Sequence, residues 1–270
     1  MANRLAVCNQ KGGCGKTTTA VNLAAGIAQR IGRVLLVDMD PQAHATLGLG
    51  VDRSLLEVSV YEALVEAQRV EEAILRERAP GLDLLPGAVN LAGAEVELVD
   101  AEHREFRLSR ALGLIEPNYS FIIIDCPPSL GLLTLNSLVA AQRVIVPVQA
   151  EYYALEGISR LLDTISLVRR SLNPTLDIEG VLITMFSSRL TLCQQVVREV
   201  REFFKELVFD TVIPRSVRLA EAPSFGKTIF SYDGNSAGAL AYRALADELL
   251  SRRGLLPEAA RTPVPSEEPQ

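Results

Sequence analysis

At 270 residues, with 48% hydrophobic and 22% charged residues, the chain has the length and balance of one large α/β domain with a well-buried core. No apolar run reaches the roughly 18 residues of a membrane span, and a formal net charge of −6 excludes a bulk polycation, so any nucleic-acid contact must come from a local basic patch. Cys8, Cys14, Cys126 and Cys193 are scattered with no C-x-x-C pair, which argues against a zinc site or disulfide framework and for a reduced, cytoplasmic protein.

The N-terminus, Met1-Ala2-Asn3-Arg4, enters an apolar strand directly, leaving no room for a signal peptide. Leu5-Ala6-Val7-Cys8 is followed by Gln10-Lys11-Gly12-Gly13-Cys14-Gly15-Lys16-Thr17-Thr18 and then by the helical pattern Ala20 to Ala25. Strand, glycine-rich turn, Gly-Lys-Thr and helix are the context of a phosphate-binding loop. Glycines let backbone N–H groups close around an anion, and the helix N-terminus adds its positive dipole end. Lys16 is then the cation for the β- and γ-phosphates and Thr17 the Mg²⁺ ligand of an ATP site. The common spacing needs glycine at position 10; here it is Gln10, and a second lysine, Lys11, stands five residues before Lys16.

Arg33 to Asp38 is a continuous apolar run ending in a carboxylate, as suits a parallel strand buried on both faces. Met39-Asp40-Pro41-Gln42 follows, then a Gly-rich stretch to Gly50 read as mobile. Val60 to Arg78 reads as short helices, Leu82 to Gly87 as a strand and turn, and Leu91 to Leu114 as a charged helical pattern. Phe121-Ile122-Ile123-Ile124-Asp125 is the clearest buried strand, and its terminal Asp is the Walker B arrangement for metal beside a phosphate loop. Next come helix Leu130 to Ala141, strand Val144 to Val148, helix Tyr153 to Leu172, and strands Ile178 to Met185 and Val208 to Ile213 flanking helix Leu190 to Leu207. A last helix covers Ser236 to Arg253. Residues 1–254 thus form one ATPase domain, and 255–270, with four prolines from Pro257 onward, a disordered tail. The alternation predicts a doubly wound, mostly parallel sheet, a single-domain P-loop NTPase with nucleotide at the carboxyl ends of the strands.

Helix 190–207 sorts its charges. At about 100° per residue, Val196, Val197, Val200, Phe203, Phe204 and Leu207 form an apolar face, Arg198, Arg201 and Lys205 one stripe, and Glu199, Glu202 and Glu206 the other edge. Between residues 186 and 232 there are seven Lys/Arg and five Asp/Glu, a local excess of positive charge in an acidic chain. Non-specific DNA binding would use such a surface.

The segment Lys11 to Ala20 resembles the deviant Walker A motif of the ParA/MinD ATPases. Val37 to Gln42, Ile124 to Ser129, Glu151 to Gly157 and Pro214 to Ser224 resemble segments of Soj-type chromosome and plasmid partition ATPases, a likeness spanning roughly residues 3 to 250. The resemblance implies an ATP-sandwich homodimer in which Lys11 reaches the phosphates of the other subunit, with Gly12, Gly13, Cys14, Gly15, Lys16, Thr17 and Thr18 holding nucleotide. It further implies that Asp40 positions the attacking water, Asp38 and Asp125 serve the metal, and Pro214 and Arg215 lie near the base. From the local basic surface, Arg189, Arg198, Arg201, Lys205, Arg218 and Lys227 are the candidate contacts to non-specific double-stranded DNA, Arg218 lying in a loop where the resemblance places phosphate contacts. A ParB/Spo0J-type centromere-binding protein would be the stimulating partner, on the nucleoid and not a membrane. A MinD-like membrane positioning ATPase is the alternative, but it needs a basic amphipathic C-terminal helix, and this chain ends Pro-Val-Pro-Ser-Glu-Glu-Pro-Gln. Two departures stand out: Ala43-His44 where such proteins commonly carry Gly-Asn, and Ser216 where Asn is usual.

Overall fold

In the computed structural model, which describes residues 2–151 and 156–256, the apolar runs become the middle of a seven-stranded sheet. The strands are β1 (Asn3–Val7), β2 (Val34–Asp38), β3 (Leu75–Ala79), β4 (Leu82–Leu85), β5 (Phe121–Asp125), β6 (Arg143–Gln149) and β7 (Asp177–Thr184), in spatial order β3-β4-β2-β5-β1-β6-β7. All neighbouring pairs are parallel except β3 with β4. Because strand side chains alternate between faces, β5 sends Ile122 and Ile124 into one core and Phe121 and Ile123 into the other. Every β5 residue is buried, which is why the run reads as continuous rather than alternating.

Helices cover both faces: α1 (Lys16–Ile31), α2 (His44–Gly48), α3 (Val60–Val65), α4 (Val70–Ala73), α5 (Leu91–Glu97), α6 (Arg107–Ile115), α7 (Leu132–Ala140), α8 (Glu156–Ser171), α9 (Thr191–Phe204), α10 (Val217–Glu221), α11 (Ile229–Asp233) and α12 (Ala237–Arg252). Helix α1 packs on α12, with Gly26 admitting Ala246, Thr19 Oγ1 and Tyr242 Oη 3.1 Å apart, and Arg30 forking onto Asp247 at 2.6 and 2.8 Å. The first residues of the helix expected over 153–172, and the tail expected over 257–270, lie outside the described residues. Among the described residues no helix is long and apolar enough to cross a membrane.

Three local expectations need correction. The stretch 60–78 is not helical throughout: it ends in β3, which turns at Pro80-Gly81 and returns as β4. Arg76 draws β3 down by donating to Asp83 (2.8 Å) and Tyr119 Oη (2.7 Å), tertiary contacts with no local signature. The helical pattern 91–114 breaks into α5 and α6, with His103 in the left-handed region between them. Residues 208–213 do not extend the sheet as a strand; their one isolated bridge to β7 pairs Val208 with Val181. The amides of Phe209 and Ile213 reach Val181 and Ile183 of β7, but those of Asp210 and Thr211 turn away to the Glu248 carboxylate at 2.8 and 2.9 Å. The segment therefore shields the sheet edge without presenting a new one.

Gly180 makes that shielding possible. A Cβ there would lie 2.6 Å from Phe209 Cε2 and 2.9 Å from the Leu207 carbonyl oxygen. Gly180→Ala is expected to lower unfolding free energy by about 1–3 kcal/mol through overpacking, read as a reduced denaturant midpoint with an unchanged slope.

Candidate functional site

The loop between β1 and α1 is wound by two glycines in left-handed conformations, Gly13 (φ 72°) and Gly15 (φ 90°), which a side-chain-bearing residue adopts only under strain. Buried Asn9 starts it: its Oδ1 accepts from the Lys11 amide (3.1 Å) and its Nδ2 donates to the Pro147 carbonyl of β6 (2.6 Å). Thr184, the last residue of β7, donates its hydroxyl to the Cys14 carbonyl at 2.8 Å. The loop is thus pinned to two neighbouring strands before any ligand arrives. Cys14 is buried under it, and burial pushes its thiol above the usual range against the opposing charge of Lys16. Lys16 is buried and curls back to donate to the Lys11 carbonyl (3.1 Å), while Gly12 and Gly13 stay exposed and Thr17 and Thr18 half-exposed on the first turn of α1. Lys11 stands at the rim, paired with Glu151 at 3.2 Å; the same carboxylate lies 3.8 Å from Arg215.

Two carboxylates close the other side. The register that pairs β2 and β5 sets Asp38 directly beside Asp125. Both are fully buried but differently satisfied. Asp38 accepts from the Asp40 amide (3.2 Å) through Oδ1 and from the Thr46 amide and hydroxyl (2.8 and 2.7 Å) through Oδ2. Burial raises it to about 6, with those hydrogen bonds opposing the rise and the Asp40 charge adding to it. Both of its oxygens are engaged in holding the loop 40–46 against the sheet. Asp40 is buried too and caps its own turn by accepting from the Gln42 amide at 2.9 Å.

Asp125 has no hydrogen-bond partner on either oxygen among the described residues. Burial, then the charge of Asp38, drives its carboxyl well above the ordinary range, with the nearby Thr17 hydroxyl opposing. An orphaned buried carboxylate beside a helix-start threonine fits a cation held between protein and phosphates. Among the described residues no three His, Cys, Asp or Glu side chains cluster as a metal cage. Mg²⁺ does not require one, since it commonly takes one or two carboxylates and completes its shell with phosphates and water.

A cleft of about 220 Å³ opens beside the loop, walled by Gly15 and Thr18 on one side and by Pro214, Arg215, Leu219 and Tyr242 on the other. The structure thus brings the two family-suggested base-side residues to the phosphate loop. It adds Thr184 and Met185, which line the same cleft and which no sequence motif announced; Met185 sits at φ 53°, a left-handed non-glycine residue at the end of β7. Ser216, the departure from the usual Asn, also faces this cleft. Ala43, the other departure, has φ 53° and ψ 41° just before α2, a conformation glycine would adopt without strain.

Arg189, Arg198, Arg201, Lys205, Arg218 and Lys227 are all exposed. The Arg215 amide bonds the Phe186 carbonyl (2.9 Å), which brings the loops leading to Arg189 and Arg218 side by side at the carboxyl end of β7. Arg201 and Lys205 lie at the far end of α9, about 20 Å along a fourteen-residue helix. Arg218 pairs with Glu221 (3.1 Å) and Asp233 (3.4 Å), whereas Arg189 and Arg198 have no ion pair among the described residues. The expected apolar face of α9 narrows: Cys193, Val196, Val200 and Phe204 are buried, but Phe203 is 64% and Leu207 39% exposed. Adjacent Phe203 and Phe204 project about 100° apart, so only one can meet the sheet.

Residues 2–178 match the AAA domain family. The chromosome partitioning protein ParA of Myxococcus xanthus is 52% identical over 248 residues, covering 92% of this chain and 88% of that protein. The sporulation initiation inhibitor protein Soj of Bacillus subtilis is 53% identical over 249 residues, covering 92% and 98%. Among solved structures, cobyrinic acid a,c-diamide synthase from Mycobacterium smegmatis, with bound ATP analogue and magnesium, superposes at a TM-score of 0.84 with 40% identity over 98% of this chain and 99% of that one.

The unpartnered Asp125 predicts a gain on neutralisation. Its folded-state pKa lies above the unfolded value, as does that of Asp38, so the folded protein binds more protons and loses stability as pH rises above about 4, the Asp38 share being lost by about 6. Asp125→Asn should raise the stability of the nucleotide-free protein at neutral pH by about 1–3 kcal/mol and flatten its pH dependence. The same variant should lose Mg²⁺-dependent nucleotide binding. Thermal melts at several pH values, with and without Mg-nucleotide, check both halves.

Proposed function

The chain belongs to the ParA/Soj family of partition ATPases, and from that premise we propose that it is an ATP-switched, DNA-binding partition protein. It binds ATP with Mg²⁺, closes into a homodimer around the nucleotide, and in that state contacts double-stranded DNA without reading sequence. Hydrolysis, stimulated by a ParB/Spo0J-type centromere-binding protein, reverses both steps; the protein works in the cytoplasm on the nucleoid. The observation that carries this reading is Asp125, a buried carboxylate beside the phosphate loop whose oxygens have no partner among the described residues.

The parts divide the chemistry by position. Backbone amides of residues 12–17 surround the phosphates, and Lys16, released from the Lys11 carbonyl it now holds, neutralises them. Thr17 and Asp125 would hold Mg²⁺, which supplies charge neutralisation at the phosphates when bound. Asp40, held in place by the Asp38 carboxylate, orients the attacking water. The cleft walled by Pro214 and Arg215 takes the base. Lys11 at the rim is placed to leave Glu151 and enter the partner subunit's site. Phosphoryl transfer depends on positioning and charge, so an isolated monomer, lacking the second Lys11, hydrolyses slowly.

Gly12 tests the dimer. A Cβ at this residue meets nothing within 4 Å in the monomer, so Gly12→Val should fold and bind ATP normally. Its branched side chain would occupy the surface where a second subunit must approach. Light scattering with ATP should show a monomer; a normal ATP dimer would contradict the proposal.

The DNA surface is tested by salt. Removing one cation that meets a DNA phosphate reduces the slope of log affinity against log salt by about 0.9, so a substitution counted twice in a dimer lowers it by roughly two. Arg189→Glu should show this full reduction. Arg218→Glu should show less, because its guanidinium must first leave Glu221 and Asp233. Equal slopes for wild type and Arg189→Glu would move the DNA surface elsewhere.

A further inference from the structure

Two glycines meet backbone to backbone between the loop after β2 and the segment after α10. A Cβ on Gly226 would lie 2.6 Å from Gly50 Cα and 3.0 Å from the Gly50 nitrogen. A Cβ on Gly50 would lie 3.4 Å from both Gly226 Cα and its carbonyl oxygen. Both residues are left-handed, with φ of 74° at Gly50 and 64° at Gly226. Two residues earlier the Gly48 Cβ position comes within 3.5 Å of Pro223 Cβ. No side chain stands between the two glycines, so displacement of one backbone is transferred directly to the other.

Each segment leads to a different part of the molecule. Gly50 closes the turn after α2, and α2 is tied to the carboxylate end of β2 because Thr46 gives its amide and hydroxyl to Asp38. The same Asp38 holds the Asp40 amide, and Thr46 Oγ1 also accepts from the Gly87 amide at 2.9 Å. Gly226 ends the turn 222–225 after α10, whose Arg218 is clamped by Glu221 and Asp233. Tyr232 stacks on Phe225 and donates to the same Glu221 carboxylate at 2.9 Å, binding that arm into one unit with Lys227 at its end. Leu219 of the arm also walls the nucleotide cleft.

We infer that the Gly50–Gly226 contact is the mechanical link through which the nucleotide-facing loop at Asp38–Asp40 sets the position of the cationic arm at Arg218 and Lys227. This rests on the ATP-switched DNA binding proposed above. Neither glycine lines the nucleotide cleft or carries a charge; they are positioning residues that act through α2 and α10. A Cβ at Gly226 would force the two backbones apart, leaving both ends intact and uncoupled, whereas one at Gly50 would rest at ordinary contact distance.

The test is the ratio of affinities for a short DNA duplex of arbitrary sequence, measured at fixed low salt with and without a non-hydrolysable ATP analogue and Mg²⁺. Allosteric couplings commonly amount to about 5–150-fold, and wild type is expected in that range. Gly226→Ala should bind the analogue as wild type does yet show a ratio below about twofold. A merely structural role would lower melting temperature and leave the ratio alone. Where a glycine variant does not fold or loses analogue affinity, the double variant Gly48→Cys/Pro223→Cys replaces it, since the 3.5 Å Cβ separation suits a disulfide. Oxidation of that pair holds the segments together and should preserve the wild-type ratio. A wild-type ratio of one, with normal analogue binding, overturns the ATP-switched reading and the link with it. A large wild-type ratio that Gly226→Ala reproduces, or that the disulfide abolishes, overturns the link alone.

Discussion

The register of three central strands governs what this molecule can do. Parallel pairing aligns Val7 of β1 with Asp125 of β5, and Asp125 with Asp38 of β2. The phosphate loop, the orphaned carboxylate and the anchor of the loop 40–46 therefore leave the sheet on one level. A slip of one residue on β5 would turn Asp125 to the other face and place a core residue at the site. The continuous burial of β5 specifies that register: both faces are packed, and no shifted alignment would satisfy both cores.

Holding two acids side by side in a dry interior opposes stability, and the structure settles it unequally. Asp38 is satisfied by hydrogen bonds from the loop it anchors, whereas Asp125 has no hydrogen-bond partner among the described residues. Two of the five non-glycine left-handed residues among those described lie near the same place. Ala43 and Met185 both occupy left-handed conformations, one following the Asp40 turn and one at the end of β7 against the cleft. Strained residues persist only where surrounding contacts determine them. Nearby, the Thr46 and Thr184 hydroxyls tie the loop 40–46 to Asp38 and the phosphate loop to β7.

The sheet's two edges have opposite characters. Residues 52–102, which supply the β3 edge and its helices, contain twelve Asp/Glu against four Lys/Arg. The β7 edge is covered by 205–214 and flanked by the exposed cations of α9 and α10. Charge is thus separated across the width of the sheet. A polyanion approaching such a molecule meets attraction on one side and repulsion on the other, which orients it before any contact forms.

The sequence by itself determined the doubly wound fold, the phosphate loop and the Asp residues ending β2 and β5. Those features depend on local order along the chain: apolar runs long enough for buried strands, glycines where φ must be positive, and a carboxylate at each strand end. The tertiary structure alone decided that 208–213 leaves the sheet, because Glu248 from α12 captures its amides. It decided that the stretch before Pro80 pairs as β3, because Asp83 and Tyr119 hold Arg76. It engaged both oxygens of Asp38 in anchoring a loop and left those of Asp125 without a partner among the described residues, though both are strand-end aspartates in sequence. It also joined Gly50 to Gly226 across 176 positions of chain. Each of these outcomes turns on which distant group reaches a hydrogen-bonding atom or fills a gap, and neither propensity nor periodicity carries that information.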